Sequence, residues 1–486
     1  MTADSNLERR RLWQDTRGAT LVLVALTMSV LLGFVGLGVD VGVWYVVKRQ
    51  NQTAADFAAL SGAYEIANGS AYYVSASASG ICGLASRDAA RNGFTFVSFT
   101  CPNSSPACTS PATGGMCANN PPVLGPSAGD SKAVEVILAQ QQNSLFATLF
   151  LPGVTIGTRA VAKVNVSGVA CDLSLDPSAS SAVKFNGTTN INLTNCGIAA
   201  DSNSSTSMDF TGNTSFQAAW AQTVGNYKAG ANTTIPFVQV DAFPVQDPYS
   251  CNPPAIGCAG HINYVLPITP QTFPASGGIL QPGLYQKVGN NAPMAFGGAN
   301  TWNLCPGIYY LDGEAPSGSS FSVQAGATVQ IATAGCTSNG LNGVTIISTC
   351  SSPANCQNGG GFTIASGAIV KLSAPTTSSP SGCATVTPYP TPCIPSGVLF
   401  YQDPIHADTG NSSATDITAN SNSFLTGAIY APAQAIKFNG NANSTCTVLI
   451  GLTLQFSGST TMSASQAGCS ADGISPPQLL NIALSE

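Results

Sequence analysis

Residues 18–39 form a run of 22 positions without a charge, and this run constrains everything else the chain can do. At a helical rise of about 1.5 Å per residue it covers roughly 33 Å, enough to cross a hydrocarbon core of about 30 Å. A cleavable signal peptide has a shorter apolar core of roughly 7–15 residues. Here apolar residues continue past Asp40 through positions 41–47. We therefore expect an uncleaved, single-pass membrane helix over residues 18–47, with the lipid bilayer as its first partner. Arg9, Arg10, Arg11 and Arg17 precede the run, and only Lys48 and Arg49 follow it closely. That asymmetry predicts a cytoplasmic leader at residues 1–17 and an exported remainder.

Trp44 and Tyr45 suit the outer interface, where amphipathic rings settle. Asp40 then lies about one turn inside them. An intramembrane carboxyl normally has a partner, so Asp40 is read either as a contact within an assembly or as a group reaching the headgroups. Gly38 and Gly42 form a GxxxG pattern, which admits a second helix at close range. Ala55, Ala59 and Ala63 repeat at four-residue spacing and make a second stripe of small side chains. Gly38, Asp40, Gly42, Ala55, Asp56, Ala59 and Ala63 are thus the candidate helix-packing and assembly residues. Gly38→Leu or Asp40→Leu is expected to weaken assembly while leaving the fold intact.

Arg17-Gly18-Ala19, the apolar run, Gly38-Val-Asp40-Val-Gly42, Tyr45 and Gln52-Thr-Ala-Ala-Asp56-Phe-Ala-Ala-Leu-Ser-Gly-Ala63 resemble the N-terminal segment of TadE/TadG-like Flp pilus assembly proteins. The resemblance covers about the first 65 residues, judged by motif order. It implies a bacterial inner-membrane component of the tight-adherence pilus machinery, with other Tad proteins or pseudopilins as helix partners. Processed pilins of this kind carry glutamate five residues after the cleavage glycine. With Gly18 in that role the position is Leu23, so the anchor is expected to stay uncleaved. The resemblance also implies a small pilin-like α+β region over residues 48–168.

Downstream composition is that of an exported β-rich protein. Hydrophobic residues make up 44% and charged residues 8% of the chain, which excludes a disordered composition. The net charge of −6 argues against nucleic acid as a partner. All sixteen cysteines follow residue 81, on the side expected to be oxidising, so disulfides are expected. Candidate pairs are Cys251 with Cys258, Cys350 with Cys356, Cys383 with Cys393, Cys171 with Cys196, and Cys446 with Cys469. No CxxC occurs and there are only two histidines, His261 and His406, which disfavours zinc.

From residue 169 the sequence echoes itself. Ala182-Val-Lys-Phe-Asn-Gly187 returns as Ala435-Ile-Lys-Phe-Asn-Gly440. The segment Phe321-Ser-Val-Gln-Ala-Gly-Ala-Thr-Val-Gln-Ile331 returns as Phe362-Thr-Ile-Ala-Ser-Gly-Ala-Ile-Val-Lys-Leu372. Short strand units that cannot bury a face alone predict a stacked solenoid, a parallel β-helix over residues 169–486. A pair of β-sandwiches is the alternative. Val323, Val329, Ile331, Ile364, Ile369 and Leu372 are expected to line its core.

The search for chemistry finds little. Asp176-Pro-Ser178-Ala-Ser180 matches the DxSxS pattern of von Willebrand A-type domains, a candidate divalent-metal site. The β alternation around it favours a turn, so neither metal nor cofactor is expected. Asp312 with Glu314, and Asp403 with His406 and Asp408, are the nearest approaches to a catalytic cluster, but their spacings define no motif. A non-enzymatic assembly and adherence protein is therefore expected, with envelope or surface glycans as further partners. The alternative is a membrane-tethered β-helix that binds or cleaves carbohydrate, recognisable by a groove of aromatic and acidic residues.

Overall fold

The computed structural model describes residues 17–67, 80–149, 151–249, 262–404 and 415–486, apart from 96, 101–107, 231, 232, 234, 236, 263, 316, 317, 352–359, 382–391, 421, 442–445 and 475. The chain divides into two compact units. One comprises Met1–Ile66, Ser70–Val164 and Ile482–Glu486; the other comprises Ala67–Gly69 and Asn165–Asn481.

The first unit is α+β. A single helix, α1 (Arg17–Ala67), runs from the apolar segment through the alanine-rich stretch. A second helix, α2 (Gly80–Arg91), stops where Gly93 takes φ +92° and its N–H returns to the Ala90 carbonyl. Glycine adopts this left-handed conformation without the Cβ clash of other residues. Three strands follow: β1 (Ser98–Thr100), β2 (Gly115–Asn119) and β3 (Ala133–Asn143). The fourth, β4 (Gly153–Ser174), starts here and runs on into the second unit. Within the first unit β1 pairs parallel with β2, and β2–β3 and β3–β4 pair antiparallel.

The C-terminal half of α1 packs on this sheet. Ala54, Ala55, Ala58, Ala59 and Ala63 are fully buried. A Cβ added at Gly62 would sit 2.8 Å from Val134 Cγ1, so small residues on this face let helix and sheet approach closely. Strand β3 is buried at every position from Ala133 to Ala139 rather than at alternate ones. Val134 meets α1, while Glu135 on the opposite face meets Asn119, Val123 and Arg159.

The second unit consists almost entirely of parallel strands, and from Gly278 to Ser373 each pairs with the strand three further on. Gly278–Leu280 pairs with Thr301–Leu304, then Thr328–Ile331, then Ile369–Ser373. Gly283–Gln286 leads by the same step through Gly307–Asp312 and Val344–Thr349 to Val398–Gln402. Met294–Phe296 leads through Ser319–Val323 and Gly361–Ile364 to Thr415–Ala419. Parallel in-register pairing sets equivalent side chains about 4.8 Å apart, so like stacks on like. Phe456, Phe185 and Phe210 form such a stack, with ring centroids 5.0 and 4.9 Å apart. Tyr401 over Tyr430 is another, at 5.1 Å.

The sequence echoes take their place in these ladders. Phe321 pairs with Phe362, and Thr328 with Ile369, so that repeat occupies adjacent rungs. Phe438 pairs with Phe456, which pairs with Phe185, so the Lys-Phe-Asn-Gly echoes flank a shared middle strand. Val323, Val329, Ile364 and Leu372 are buried, but Ile331 and Ile369 are only half-buried. The core expectation fails for Ile369, which alternates to the other face from the inward Val370 and Leu372, whereas Ile331 stands on the same face as Val329 and packs partly buried against the core.

Asp172 lies fully buried in this unit, and neither carboxyl oxygen has a hydrogen-bond partner among the described residues. Burial raises its pKa well above the usual carboxylate range, and the Leu449 backbone offsets only part of this. Between the unfolded value near 4 and the raised folded value, only the folded state holds the proton. Stability therefore falls as pH rises through that window, by up to about 1.4 kcal/mol per pH unit. Asp172→Asn is expected to flatten this slope. Thermal unfolding of both proteins at pH 5 and pH 8 checks it; parallel shifts in Tm would count against the assignment.

Candidate functional site

On α1 the side chains sort by the helical period. Gly36, Asp40, Asn51, Ala54, Ala55, Ala58 and Ala59 are buried, with Val43, Trp44 and Val47 half-buried between them. Gly38 and Gly42 lie outside this stripe, and a Cβ added at either would meet nothing within 4 Å. The reason is geometric. Two residues along an α-helix turn it by about 200°, so Asp40 faces away from the Gly38–Gly42 pair. The seven candidate residues thus fall into two groups.

Asp40 is 1% exposed and its partners are internal. Oδ1 accepts the Leu145 N–H at 2.7 Å, and Oδ2 accepts those of Phe146 at 3.0 Å and Ala147 at 2.7 Å. These donors open the short 3-10 helix Ala147–Leu149. The first amides of a helical turn have no partner within it, and a carboxyl placed across them caps the turn. Gly36, one turn away, leaves the room this needs: a Cβ there would sit 2.8 Å from Phe146 Cβ. With these contacts Asp40→Leu is expected to disturb the fold, whereas the sequence alone suggested that it would not.

Ala55, Ala59 and Ala63 are fully buried against their own unit. Asp56 accepts the Gln52 amide at 2.8 Å, and the same amide donates to the Arg159 carbonyl at 2.9 Å. Of the seven, Gly38 and Gly42 alone offer an open small-residue surface. Around them α1 is long and apolar enough to cross a membrane, and its apolar stretch is almost wholly uncovered.

Residues 18–65 match the family model Tad, Flp pilus-assembly TadE/G-like. The match associates the Tad segment with Flp pilus assembly and its machinery, and with a membrane-anchoring helix. It covers α1 and stops before the sheet. No curated protein and no solved structure matches the chain.

Sequence reasoning missed the polar centre of the unit beyond the Tad segment. Glu135 is fully buried; its Oε1 takes Arg159 Nε at 2.5 Å and its Oε2 takes Asn119 Nδ2 at 2.9 Å. Arg159 Nη1 also meets Glu486 Oε2 at 2.6 Å, and Glu486 Oε1 accepts the Ser127 N–H at 2.9 Å. The Arg159 hydrogen bond holds the Glu486 carboxyl below its usual range. Only the isolated charge of Glu135 within a β run gave any signal of this centre.

Elsewhere the candidate chemistry resolves into structure. Asp176 Oδ1 accepts the N–H groups of Ser178 at 2.8 Å and Ala179 at 2.7 Å. It closes a turn in which the Ser178 hydroxyl also donates to Asp176 Oδ1 at 3.4 Å, and Ser178 and Ser180 are exposed. Asp312 accepts the N–H of Ser351 at 2.8 Å and its hydroxyl at 2.5 Å. Asp403 is buried under the Tyr264 and Thr349 hydroxyls. His261, His406 and Asp408 lie outside the described residues. A cleft of about 520 Å³ is lined by Gln271, Phe273, Tyr285, Gln286 and Asn291 among other described residues.

Cys171–Cys196 and Cys446–Cys469 are disulfides, with Cα atoms 5.8 and 4.8 Å apart. Cys108–Cys117 and Cys305–Cys336 are two further bridges. Cys350 and Cys393 are disulfide-bonded; Cys356 and Cys383, the partners expected for them, lie outside the described residues, as do Cys251 and Cys258.

Proposed function

We propose that this chain is a non-enzymatic, single-pass component of the bacterial inner membrane that serves Flp/Tad pilus assembly and tight adherence. The observation that carries the reading is the coincidence of the Tad match with a helix of membrane-spanning length whose apolar stretch is uncovered. In this reading the leader at residues 1–17 is cytoplasmic and residues 18–47 anchor the chain. A pilin-like region follows over residues 48–168, and residues 169–486 project into the periplasm or beyond. The step of three between paired parallel strands supports a disulfide-clipped parallel β-helix there, and parallel pairing disfavours the sandwich pair. The open face at Gly38 and Gly42 receives a helix of another pilus-assembly protein or pseudopilin.

Gly38→Leu with Gly42→Leu is the test. Neither position touches its own unit, so folding and membrane insertion are expected to persist. Co-purified membrane partners and surface pili are expected to fall sharply. Wild-type levels of both, in a strain where deletion of the chain abolishes piliation, would remove the helix-face assignment. Unchanged piliation on deletion would remove the pilus reading itself.

A further inference from the structure

Residues 144–151, Ser-Leu-Phe-Ala-Thr-Leu-Phe-Leu, connect β3 to β4. Leu145 is 63% exposed, Phe146 66% and Leu151 40%. A polar hairpin loop would suffice for a turn in water, whereas contiguous exposed apolar residues mark a contact surface.

Two observations identify what covers it. The first is position. Phe146 lies against Gly36, inside the uncharged run, where Phe34, Val35 and Leu37 are themselves 69%, 64% and 48% exposed. Gly36 is nine residues from Tyr45, about 13 Å along the helix. Since Trp44 and Tyr45 mark the interface, the loop tip sits deeper than that interface, level with side chains that require hydrocarbon. The second is hydrogen bonding. Irregular backbone is not tolerated in lipid with its N–H groups bare. Here the Leu145, Phe146 and Ala147 amides are all taken by Asp40.

We infer that the loop tip at residues 144–149 is a re-entrant second membrane contact, seated among acyl chains in the same leaflet as the outer end of the anchor. This rests on α1 spanning the membrane. The carboxyl of Asp40 is then neither a headgroup contact nor a docking point for another protein. It allows a loop to enter lipid with the three amides of its tip satisfied. Two apolar elements side by side also fix how α1 is rotated about its own axis, which determines the direction in which Gly38 and Gly42 look.

The test uses the full chain in phosphatidylcholine vesicles, with Trp13 and Trp44 changed to Phe. Phe146→Trp is compared with Val97→Trp, a position 82% exposed elsewhere in the same unit. The remaining tryptophan emission is subtracted with the parent protein. Lipids brominated on their acyl chains are expected to abolish most of the emission added at position 146 and to leave that at position 97. Leu145→Trp is the second variant should the first disturb the loop. Quenching no deeper than at position 97, in protein that resists an alkaline wash, overturns the inference. So does blue-shifted emission that bromolipid does not reach, which would mean that a protein partner covers the loop. Chain released from the vesicles by the wash would instead remove the anchor reading, and the inference with it.

Discussion

Arg159→Met is expected to lower the stability of the N-terminal unit by about 3–5 kcal/mol, because removing one partner of a buried ion pair strands the other. The stranded group is the carboxyl of Glu135, fully buried in mid-sheet with only Asn119 and the Val123 amide left to it. The same change frees Glu486, which otherwise closes over Arg159. Hydrogen exchange over Ala133–Asn143 reads this directly, and every 1.4 kcal/mol lost speeds exchange about tenfold. A double variant, Arg159→Met with Glu135→Leu, is expected to recover much of the loss, since an apolar pair carries no desolvation cost. An Arg159→Met protein that exchanges like wild type would mean that the network contributes no stability.

Asp40→Leu is expected to release the loop beside the anchor even in purified protein with no pilus component present. Three backbone N–H groups lose their acceptor at once, and one buried unsatisfied donor alone costs about 1–3 kcal/mol. Proteolysis within residues 144–151 in detergent should become much faster. Asp40→Asn, which keeps one acceptor oxygen, should fall between the two. If Asp40→Leu resists protease as wild type does, while partner proteins no longer co-purify, then Asp40 serves assembly and not the loop.

These two sites also mark where sequence reading stopped. The membrane-length helix and the repeated strands were legible because each is written in local periodicity. The alanine stripe was legible as a packing face, but its partner was not. Ala55, Ala59 and Ala63 are buried within the folded chain, and nothing in a four-residue spacing distinguishes an internal partner from a foreign helix. Asp40 is a sharper case. Its donors lie 105 to 107 positions away, and they are backbone amides, which carry no side-chain signature. The grouping of Gly38, Asp40 and Gly42 on one face was avoidable from the helical period alone. For Asp176 the turn was legible in the β alternation around it; for Asp312 and Asp403 the residue type was visible, but the hydroxyls that occupy each were not.

The ion pair between Arg159 and Glu486 joins positions 327 residues apart, and the stretch Asn165–Asn481 between them belongs to the other unit. A chain leaving the ribosome therefore presents both helices and all four strands of this unit long before the segment Ile482–Glu486 arrives. Until then the Glu135 side of the sheet waits incomplete. A chain broken off anywhere in the β-rich stretch would keep its anchor yet lack that closing segment.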